Sequence, residues 1–475
     1  MSELHDLTAL QQAAALRRGE IDPVELVDHY LDRIDRLDGS VGAFVTVVPE
    51  VARAAAMEAA AALRRAGPAG LPPLLGVPIA IKDLTGTAGV RTTFGSAAYD
   101  DFVPAVDDNV VVKLRAAGTV SVGKTSSPEF GAACYTEPAA APPARTPWDL
   151  ARMAGGSSGG AAAAVAAGLV PFAHGNDAAG SIRIPASCCG LVGIKPSRDR
   201  VSMGPFGDAT GMAVQGPLAR TVPDAAALLD AMAGPMPGDI TWAPPLREPL
   251  LAAAERDPGR LRIGRYRTPV IAAADVHPEC VAAYEAATDL LTDLGHEVVD
   301  VGPPFGADVV PLFETVWWVR STLVPVPPER TGLLRPLTTW LRAQGVARSG
   351  PEYVAASAQL TVVSRAAIAA TAQYDAVLTP ALAQPPLPLG ALRDDADPAA
   401  DFAAQERFTP FTAPYNITGQ PAIVLPLHWT AGPAPLPIGV QLAGRPHDEA
   451  TLVSLAAQLE AARPWAHRVP PAWTG

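Results

Sequence analysis

Serine hydroxyls occur in two glycine-rich clusters that lie close together in the sequence. The first cluster, residues 155–160, reads Gly-Gly-Ser-Ser-Gly-Gly, and the second, residues 178–181, reads Ala-Ala-Gly-Ser. An alanine-rich run at 161–167, which suits a packed helix, and an apolar run at 169–173, which predicts a strand, separate them. Small residues let the backbone approach a ligand and point N–H groups at it. The pattern indicates either a hydroxyl-bearing site or a glycine-rich connection packed beneath a sheet.

Lysine is rare in this chain, and its few positions bear on the chemistry. Lysine and arginine together number 36, but only four are lysines, namely Lys82, Lys113, Lys124 and Lys195. Arginine is effectively always protonated, whereas a lysine removed from water can be neutral and act as a base. We therefore expect some of these lysines where arginine could not serve, the alternative being chance retention of a few lysines.

Lys82 ends an apolar segment. Residues 75–83 read Leu-Gly-Val-Pro-Ile-Ala-Ile-Lys-Asp, which predicts a strand that ends in a charged pair. The apolar neighbours predict a desolvated lysine with a lowered pKa. A lysine with its ordinary pKa would need about 4–5 kcal/mol to become neutral at neutral pH, and a buried site must supply part of this. The alternative is a surface ion pair between Lys82 and Asp83.

Two familiar motifs match by letter but not by context. Residues 118–125 fit the phosphate-binding P-loop pattern, yet that loop must join a strand to a helix. Here β-branched residues fill the segment and a helix predicted at 108–117 precedes it, so Lys124 is expected to anchor a turn. Residues 155–159 fit the G-x-S-x-G nucleophile elbow, which needs a buried strand immediately before it. Residues 146–154 do not read as a strand, which disfavours a Ser–His–Asp site.

Composition narrows the classes of partner. The net charge is −12 and no basic run occurs, which argues against nucleic acid and anionic membrane surfaces. No apolar run reaches the roughly 18–20 residues of a membrane span, and the N-terminus lacks an apolar signal core. The four cysteines are too few for a disulfide framework, and no cluster has metal-ligand spacing. We expect a cytoplasmic protein without metal or cofactor, with His174 a core residue.

Helical and strand-like segments alternate along the chain. Asp22-Pro23 is typical of a helix start, and an apolar stripe follows it. The simplest use of that stripe is docking within the fold, with an oligomer contact, such as a homodimer, as the alternative. Further segments predict helices at 8–19 and 50–65 and a strand at 43–48. Such alternation is typical of an α/β protein.

The region around the two serine clusters resembles the amidase signature family. The resemblance covers about residues 20–465 and rests on several long motifs in order. They are Gly-Gly-Ser-Ser-Gly-Gly at 155–160, Gly-Ser-Ile-Arg-Ile-Pro-Ala at 180–186, Gly-Ile-Lys-Pro at 193–196, Gly-Val-Pro-Ile-Ala-Ile-Lys-Asp at 76–83, Asn-Ile-Thr-Gly-Gln-Pro-Ala at 416–422 and Pro-Ile-Gly-Val-Gln at 437–441.

The resemblance implies a Ser–Ser–Lys triad. Ser181 matches the acylated nucleophile, Ser157 the bridging serine that the family holds with a cis peptide bond, and Lys82 the base. This agrees with the chemistry of the residues, because a hydroxyl needs a neighbouring base to become a nucleophile. The resemblance further implies an oxyanion hole made of backbone N–H groups and a set of residues that fix the turn around it. The first set is Ala178, Ala179, Gly180 and Ser181, and the second is Ser158, Asn176, Asp177 and Arg183.

Two positions depart from the family pattern. Asn176 stands where the family usually has threonine, and Ala179 where it usually has glycine. If Ala179 needed a positive φ, its Cβ would cost roughly 1 kcal/mol or more. The variant run at 174–181 resembles the branch that contains nylon-oligomer (aminohexanoate cyclic dimer) hydrolases, and Thr-Glu-Pro at 136–138 supports that placement.

The implied fold is one α/β domain over residues 1–475, with a central mixed, twisted sheet covered by helices on both faces. The region 235–350, rich in proline and aromatic residues, is expected to be peripheral and partly helical, with part of it covering the active site. The residues expected in the substrate pocket are Cys134, Tyr135, Trp317 and Trp318.

The expected function is hydrolysis of a small, largely apolar linear or cyclic amide through an acyl-enzyme, with esterase or urethanase side activity. The alternative is the A subunit of a tRNA-dependent amidotransferase, which shares the triad but acts within an assembly. A glutamine-specific subunit needs a polar pocket for the amino acid head group, and none is identified in the sequence. The expected partner is therefore a small-molecule amide alone.

Overall fold

One mixed sheet organises the protein. The computed structural model describes residues 3–66 and 70–473, and within them eleven strands form a sheet in the order β1-β3-β2-β4-β6-β5-β10-β11-β9-β7-β8. The strands are β1 Phe44–Val47, β2 Pro78–Lys82, β3 Val120–Thr125, β4 Phe172–Asp177, β5 Val192–Lys195, β6 Val214–Ala219, β7 Arg262–Arg265, β8 Glu297–Asp300, β9 Ala376–Pro380, β10 Ala422–Trp429 and β11 Pro437–Gly444.

Strand directions confirm the mixed sheet. β2 runs parallel to both neighbours, β3 and β4, and β7 runs parallel to β8 and β9. The other pairings, including all those of β5, β6, β10 and β11, are antiparallel. Parallel pairing places the carboxyl ends of β2 and β4 at the same edge, which positions the residues that follow each strand near one another.

The helices follow the alternation that the sequence predicts. Asp22 caps the second helix by accepting from the Val24 N–H at 2.8 Å, with Pro23 in the first turn. The helices in the described residues are α1 Ala9–Arg18, α2 Pro23–Val41, α3 Pro49–Ala66, α4 Asn109–Ala116, α5 Gly159–Ala166, α6 Arg183–Cys189, α7 Val222–Met232, α8 Leu250–Ala254, α9 Pro278–Asp293, α10 Val309–Ser321, α11 Pro336–Val346, α12 Gly350–Thr371, α13 Pro398–Phe408, α14 Pro414–Ile417 and α15 Glu449–Ala462.

Apolar side chains pack on both faces of the sheet. In β2, Ala80 belongs to one core while Ile79 and Ile81 belong to the other, as the alternation of a strand requires. Helices α5 and α6 contribute to the first core, and α7 and α15 to the second. The apolar stripe of α2 is buried from Leu26 to Ile34 and is therefore an internal docking face.

The strand before the second serine cluster begins later than the sequence predicted. The expected strand at 169–173 is wrong, since β4 runs from Phe172 to Asp177. The first three residues of that run, 169–171, form a buried bend, and propensity does not distinguish a buried bend from a buried strand. As a result, the cluster at 178–181 follows directly from the end of β4. The alanine-rich helix lies close to its predicted position as α5, and every residue in it is buried.

Residues 235–350 are not only a peripheral layer. They supply β7 and β8, which form one end of the sheet, as well as α10 and α11.

Helix α12, which packs on α10, is long and apolar enough to cross a membrane by length and composition alone. About 28% of its most apolar 18-residue stretch is buried inside the protein.

Three of the four lysines are buried at strand ends. Lys82, Lys124 and Lys195 lie at or near the ends of β2, β3 and β5, and each is fully inaccessible. Lys124 donates to Thr92 Oγ1 at 2.8 Å and to the Thr85 carbonyl, so it anchors the loop after β2 and not, as predicted, the turn in its own segment. Burial lowers the pKa of Lys124 to about 8, although Asp83 opposes the shift. The alternative of a surface Lys82–Asp83 pair is wrong, because both are buried and Asp83 faces Lys124.

Gly216 provides a test of how tightly the centre of the sheet is packed. A Cβ at this position in β6 would lie 2.3 Å from the Ile194 carbonyl oxygen. We predict that Gly216→Ala lowers the free energy of unfolding by about 1–3 kcal/mol, because backbone cannot move aside cheaply. Urea denaturation measures this. The control is Gly39→Ala in α2, where a Cβ meets open space and stability should stay the same or rise by up to about 1 kcal/mol. Equal effects of the two substitutions would contradict the prediction.

Candidate active site

The two serine clusters meet beside the ends of β2 and β4. The Ser158 N–H donates to the Ser181 carbonyl at 3.1 Å, which joins the clusters directly. Thr136 Oγ1 donates to the Gly155 carbonyl at 2.9 Å and holds the first cluster from the other side. The Gly156–Ser157 peptide bond is cis. Lys82, Ser157 and Ser181 are therefore in one region, as the sequence predicted.

The Lys82 side-chain nitrogen has three partners in a buried setting. Lys82 Nζ lies 2.8 Å from Ser157 Oγ and 2.6 Å from Asn176 Oδ1, with the Asn176 carbonyl at 3.4 Å. Lys82 is fully buried and Ser157 is 1% exposed. Asn176, where the family usually has threonine, is thus a direct hydrogen-bond partner of the lysine.

These partners fit a neutral amine. A neutral lysine has two N–H donors and one lone pair, and both Asn176 oxygens can only accept. When those two oxygens receive the N–H groups, the lone pair of Lys82 points at the Ser157 hydroxyl. In that protonation state Ser157 donates to Lys82 and keeps lone pairs for a further donor, whereas a protonated Lys82 would donate to all three oxygens.

Burial also favours the neutral form. Desolvation lowers the pKa of Lys82 well below its ordinary value; the Asp177 carboxylate opposes this shift and the Arg320 guanidinium adds to it. The contacts allow a neutral Lys82 and burial favours it, so the lysine is expected to accept a proton at a pH well below its ordinary pKa.

The turn that carries Ser181 depends on glycine. Gly180 has φ of 133°, and a Cβ there would lie 2.4 Å from Thr412 Oγ1. Thr412 Oγ1 donates to the Ala179 carbonyl at 2.6 Å and fixes the turn. Ala179 does not have a positive φ, so the strain considered for this departure from the family pattern does not arise.

The backbone donors of this turn are not equivalent. Within residues 3–66 and 70–473, the N–H groups of Ala178, Ala179 and Ser181 have no acceptor, whereas the Gly180 N–H donates to Asp177 Oδ1 at 2.7 Å. The Gly180 N–H is therefore already used within the turn. The oxyanion hole predicted from four N–H groups is reduced to those of Ala178, Ala179 and Ser181. Sequence could not distinguish it because each residue of the turn carries one N–H.

A buried ion pair locks the turn. Arg183 binds Asp177 through two hydrogen bonds of 3.0 Å, one to each carboxylate oxygen. Asp177 also accepts from the Ile182 N–H at 3.1 Å and from Asn416 Nδ2 at 2.9 Å. Burial would raise the pKa of Asp177, but Arg183 and these hydrogen bonds hold it below its usual range. Because Arg183 also reaches the Thr412 carbonyl at 2.8 Å, the turn is tied to the segment before α14.

Ser181 lines a cavity that opens to solvent. Most of the lining is apolar. Of the four residues expected in the pocket, Cys134 and Trp317 line it, whereas Tyr135 donates its hydroxyl to Asp401 at 2.6 Å and Trp318 packs edge-on against Trp340. The other lining residues are Gly131, Ala132, Ala133, Ala179, Ile184, Ile271, Phe313, Phe402, Gln405, Glu406, Thr409 and Ala413.

Helix α13 contributes to the cavity although no sequence signal indicates it. Phe402, Gln405 and Glu406 line the cavity from a helix whose sequence resembles many surface helices. The side chain of Gln405 accepts from the Cys134 N–H at 2.8 Å and donates to Asp401 at 2.6 Å. No local motif marks these positions, since only tertiary packing brings α13 against the nucleophile.

Three histidines, His174, His5 and His29, do not line the cavity. His174 is buried in β4 and its Nε2 pairs with Gln215 Oε1 at 2.8 Å, as expected for a core residue, and burial lowers its pKa to about 3. Elsewhere, the fold brings Glu3, His5 and His29 together, with ligand-type atoms within 4.8 Å, although their sequence spacing gives no sign of this. His5 Nδ1 and His29 Nε2 are hydrogen-bonded at 3.1 Å, and none of the three residues lines the cavity.

Comparison with known proteins agrees with this arrangement. The family described as Amidase matches residues 25–453. The putative amidase AmiB2 of Mycobacterium tuberculosis is 41% identical over 469 residues, covering 97% of each chain. A glutamyl-tRNA(Gln) amidotransferase A subunit from Roseiflexus sp. is 37% identical over 497 residues, covering 99% of each chain. The solved structure of a 6-aminohexanoate cyclic dimer hydrolase with its substrate matches with a TM-score of 0.91 and 32% identity, covering 99% of this chain and 100% of that one.

The matched family spans both serine clusters, Lys82 and most of the sheet. The solved structure of the cyclic dimer hydrolase confirms the expected α/β fold and the resemblance to that branch. The chain therefore belongs to the amidase signature family and is an amide-hydrolysing enzyme.

Proposed function

We propose that this enzyme hydrolyses small, largely apolar amides through a triad of Ser181, Ser157 and Lys82. The observation that carries the proposal is the 2.8 Å contact between the buried Lys82 Nζ and Ser157 Oγ, with two Asn176 oxygens accepting from the lysine. Such a base can receive a proton through Ser157, and Ser181 lines the adjoining cavity.

The reaction begins with a proton relay. Ser181 Oγ attacks the amide carbonyl carbon while its proton passes to Ser157, whose own proton passes to Lys82. The new C–O bond gives a tetrahedral intermediate, and the positive charge now rests on Lys82. The relay then reverses: Lys82 returns its proton through Ser157 to the leaving nitrogen, and the C–N bond breaks. Water repeats the sequence on the Ser181 ester and releases the acid.

Backbone donors stabilise the intermediate. The N–H groups of Ala178, Ala179 and Ser181 are available to bind the oxyanion, and each is worth roughly 3–4 kcal/mol to the transition state. The Asp177–Arg183 pair holds these donors in place before substrate arrives. Preorganisation of this kind avoids reorientation of dipoles during the reaction.

The cavity favours apolar substrates. Phe313, Trp317 and Phe402 supply aromatic surface, and its open side admits linear or cyclic amides. The same nucleophile and donors suit esters and urethanes, because these carbonyl groups form similar tetrahedral intermediates. We therefore include esterase and urethanase side activities in the proposal.

An amidotransferase A subunit is the other candidate. Its support is the Roseiflexus relative. Free glutamine carries an α-carboxylate, which a specific pocket must neutralise, and no lysine or arginine lines the cavity in the described part of the chain. The stand-alone amidase is therefore the function we propose.

A panel of amides, esters, urethanes and free glutamine tests the proposal with the purified enzyme. We expect turnover of apolar amides without another subunit and without added metal. Hydrolysis of glutamine alone, or dependence on a partner subunit, would instead favour the amidotransferase.

Ser181→Ala should abolish covalent labelling by a fluorophosphonate probe while leaving the fold intact. The missing Oγ removes the atom that forms the covalent bond. Intact-protein mass spectrometry gives the labelling, and circular dichroism checks the fold. Persistent labelling that maps to Ser157 would reverse the roles of the two serines.

Lys82→Arg should lower amide turnover by roughly 10²–10⁴, because a guanidinium cannot accept the proton. In the wild type, the neutral form of Lys82 is active, so kcat/KM should rise with pH through a pKa well below the ordinary lysine value and fall as the pH drops below it. Lys82→Ala should retain more activity on a phenyl ester than on an amide, since a phenolate leaves without a proton. Near-normal amide turnover by Lys82→Arg would show that Lys82 is structural.

Asn176→Asp should move the acid limb of the kcat/KM profile to higher pH. The substitution places a carboxylate beside Lys82, and an opposite charge at this range raises a lysine pKa by roughly 1–3 units. Asn109→Asp, which adds the same charge where Asn109 pairs with Ser202, is the control. An unchanged acid limb in Asn176→Asp would separate that limb from Lys82.

A further inference from the structure

A cluster of metal-ligating side chains lies outside the active site, where the N-terminal segment meets α2. Glu3 and His5 belong to or flank a single 3₁₀ turn, Leu4–Asp6, and His29 lies in α2. One ligand-type atom from each of the three residues lies within 4.8 Å of the others, and no second group of this kind occurs in the described part of the chain. The fold thus gathers two imidazoles and a carboxylate that amide hydrolysis does not use.

The two imidazole rings already have the spacing of ligands that share one ion. His5 Nδ1 and His29 Nε2 lie 3.1 Å apart, and the ring centroids lie 5.2 Å apart with 19° between the planes. Zinc binds histidine nitrogen at about 2.0–2.1 Å in a tetrahedral arrangement, which separates two ligand nitrogens by roughly 3.3 Å and the two ring centres by roughly 5 Å. Each neutral ring can carry its proton on the nitrogen that faces away, so both lone pairs are able to face an ion.

Carboxylates supply the third ligand and an outer partner. Glu3 is exposed, so its side chain can turn towards the two rings without disturbing the core. Asp6 Oδ1 lies 4.0 Å from His5 Nε2, the ring nitrogen that faces away from His29. A carboxylate on that side is the common partner that orients a ligating histidine. His29 is only partly buried, so water can reach the cluster and complete a four-coordinate site.

The fixed charges around the rings do not exclude a dication. Arg33 donates to three backbone carbonyls at 2.9–3.0 Å and Arg220 to three others at 3.0–3.3 Å, so neither guanidinium takes up a ligand atom. The charged groups close enough to act on the two rings include as many acids as bases. They are Glu3, Asp6, Asp32, Arg33, Arg36 and Arg220.

We propose that Glu3, His5 and His29 bind one zinc ion, which fastens the N-terminal turn Leu4–Asp6 to α2. The same turn contacts the C-terminal segment, because Trp473 Nε1 donates to Asp6 Oδ1 at 3.0 Å and the Trp473 ring packs on His5 with centroids 5.2 Å apart. The ion therefore stabilises the junction of these segments and takes no part in amide hydrolysis, since none of its ligands lines the cavity. The proposal departs from the expectation of a protein without metal, which followed from sequence spacing alone.

Zinc binding to the untagged enzyme, freed of metal by a chelator, tests the proposal. We expect calorimetry to give one zinc ion per chain, and Co²⁺ in its place to give the visible absorption of a four-coordinate site. His29→Gln should weaken zinc binding by about 100-fold or more, because loss of an outer partner alone costs roughly 10–100-fold. Glu3→Gln, at an exposed position, should weaken it by about tenfold or more. The matched control is His428→Gln, which breaks a 3.0 Å pair with Glu279 outside the cluster and should leave zinc binding unchanged.

Hydrogen exchange locates the bound ion. An ion that binds only the folded arrangement opposes local opening, so zinc should slow amide exchange in the N-terminal turn of the wild type. The same addition should leave exchange there unchanged in His29→Gln. Hydrolysis of an apolar amide should proceed equally with and without chelator, because the cluster lies apart from the cavity.

Several outcomes would overturn the proposal. A wild type that binds no zinc in a fixed ratio contradicts it directly. Equal zinc affinity in His29→Gln and His428→Gln, or slowed exchange away from the N-terminal turn, would show an adventitious ion only. If His29→Gln fails to fold, Glu3→Gln decides by the same comparison with His428→Gln. Loss of amide turnover on chelation would contradict a structural role for the ion.

Discussion

The removal of Lys82 from water is the constraint on which the site depends. An ordinary lysine is protonated at neutral pH and cannot start the reaction, so the fold must make the neutral form accessible. It does so by placing Lys82 at the end of β2, between sheet neighbours and beneath the turn at 155–160, with no exposed surface. Asn176 then supplies two acceptors, which leaves the lone pair for Ser157. Burial thus favours the neutral amine, and the hydrogen bonds can accommodate it.

A second buried charge could have undone this arrangement. Asp177 lies one residue from Asn176 and by itself raises the pKa of Lys82. Its two oxygens are instead occupied by Arg183, and the Ile182 N–H and Asn416 add further donors. The ion pair therefore limits the influence of Asp177 on the lysine while it fixes the turn that carries Ser181. A buried pair of this kind is retained for position and electrostatics rather than for stability alone.

The sequence revealed the reacting groups better than it revealed their surroundings. Serine clusters, the strand that ends in Lys82 and the cap at Asp22 are local signals, and the structure has each of them where the residues indicate. The start of β4 was misplaced because a buried bend and a buried strand have similar composition. Glu406 and the occupied Gly180 N–H could not be found, because one depends on how α13 packs and the other on which N–H an adjacent carboxylate selects.

The rarity of lysine allows a direct measurement of the central claim. With only four lysines in the chain, isotope labelling of the Cε and Nζ positions gives few NMR signals, and Lys82→Arg assigns the one that belongs to Lys82. Following that signal with pH reports its protonation without reference to activity. We expect Lys82 to titrate well below the ordinary lysine value, so that the neutral amine is already present in the range where the enzyme works. A Lys82 signal that stays protonated up to the ordinary lysine pKa would contradict it.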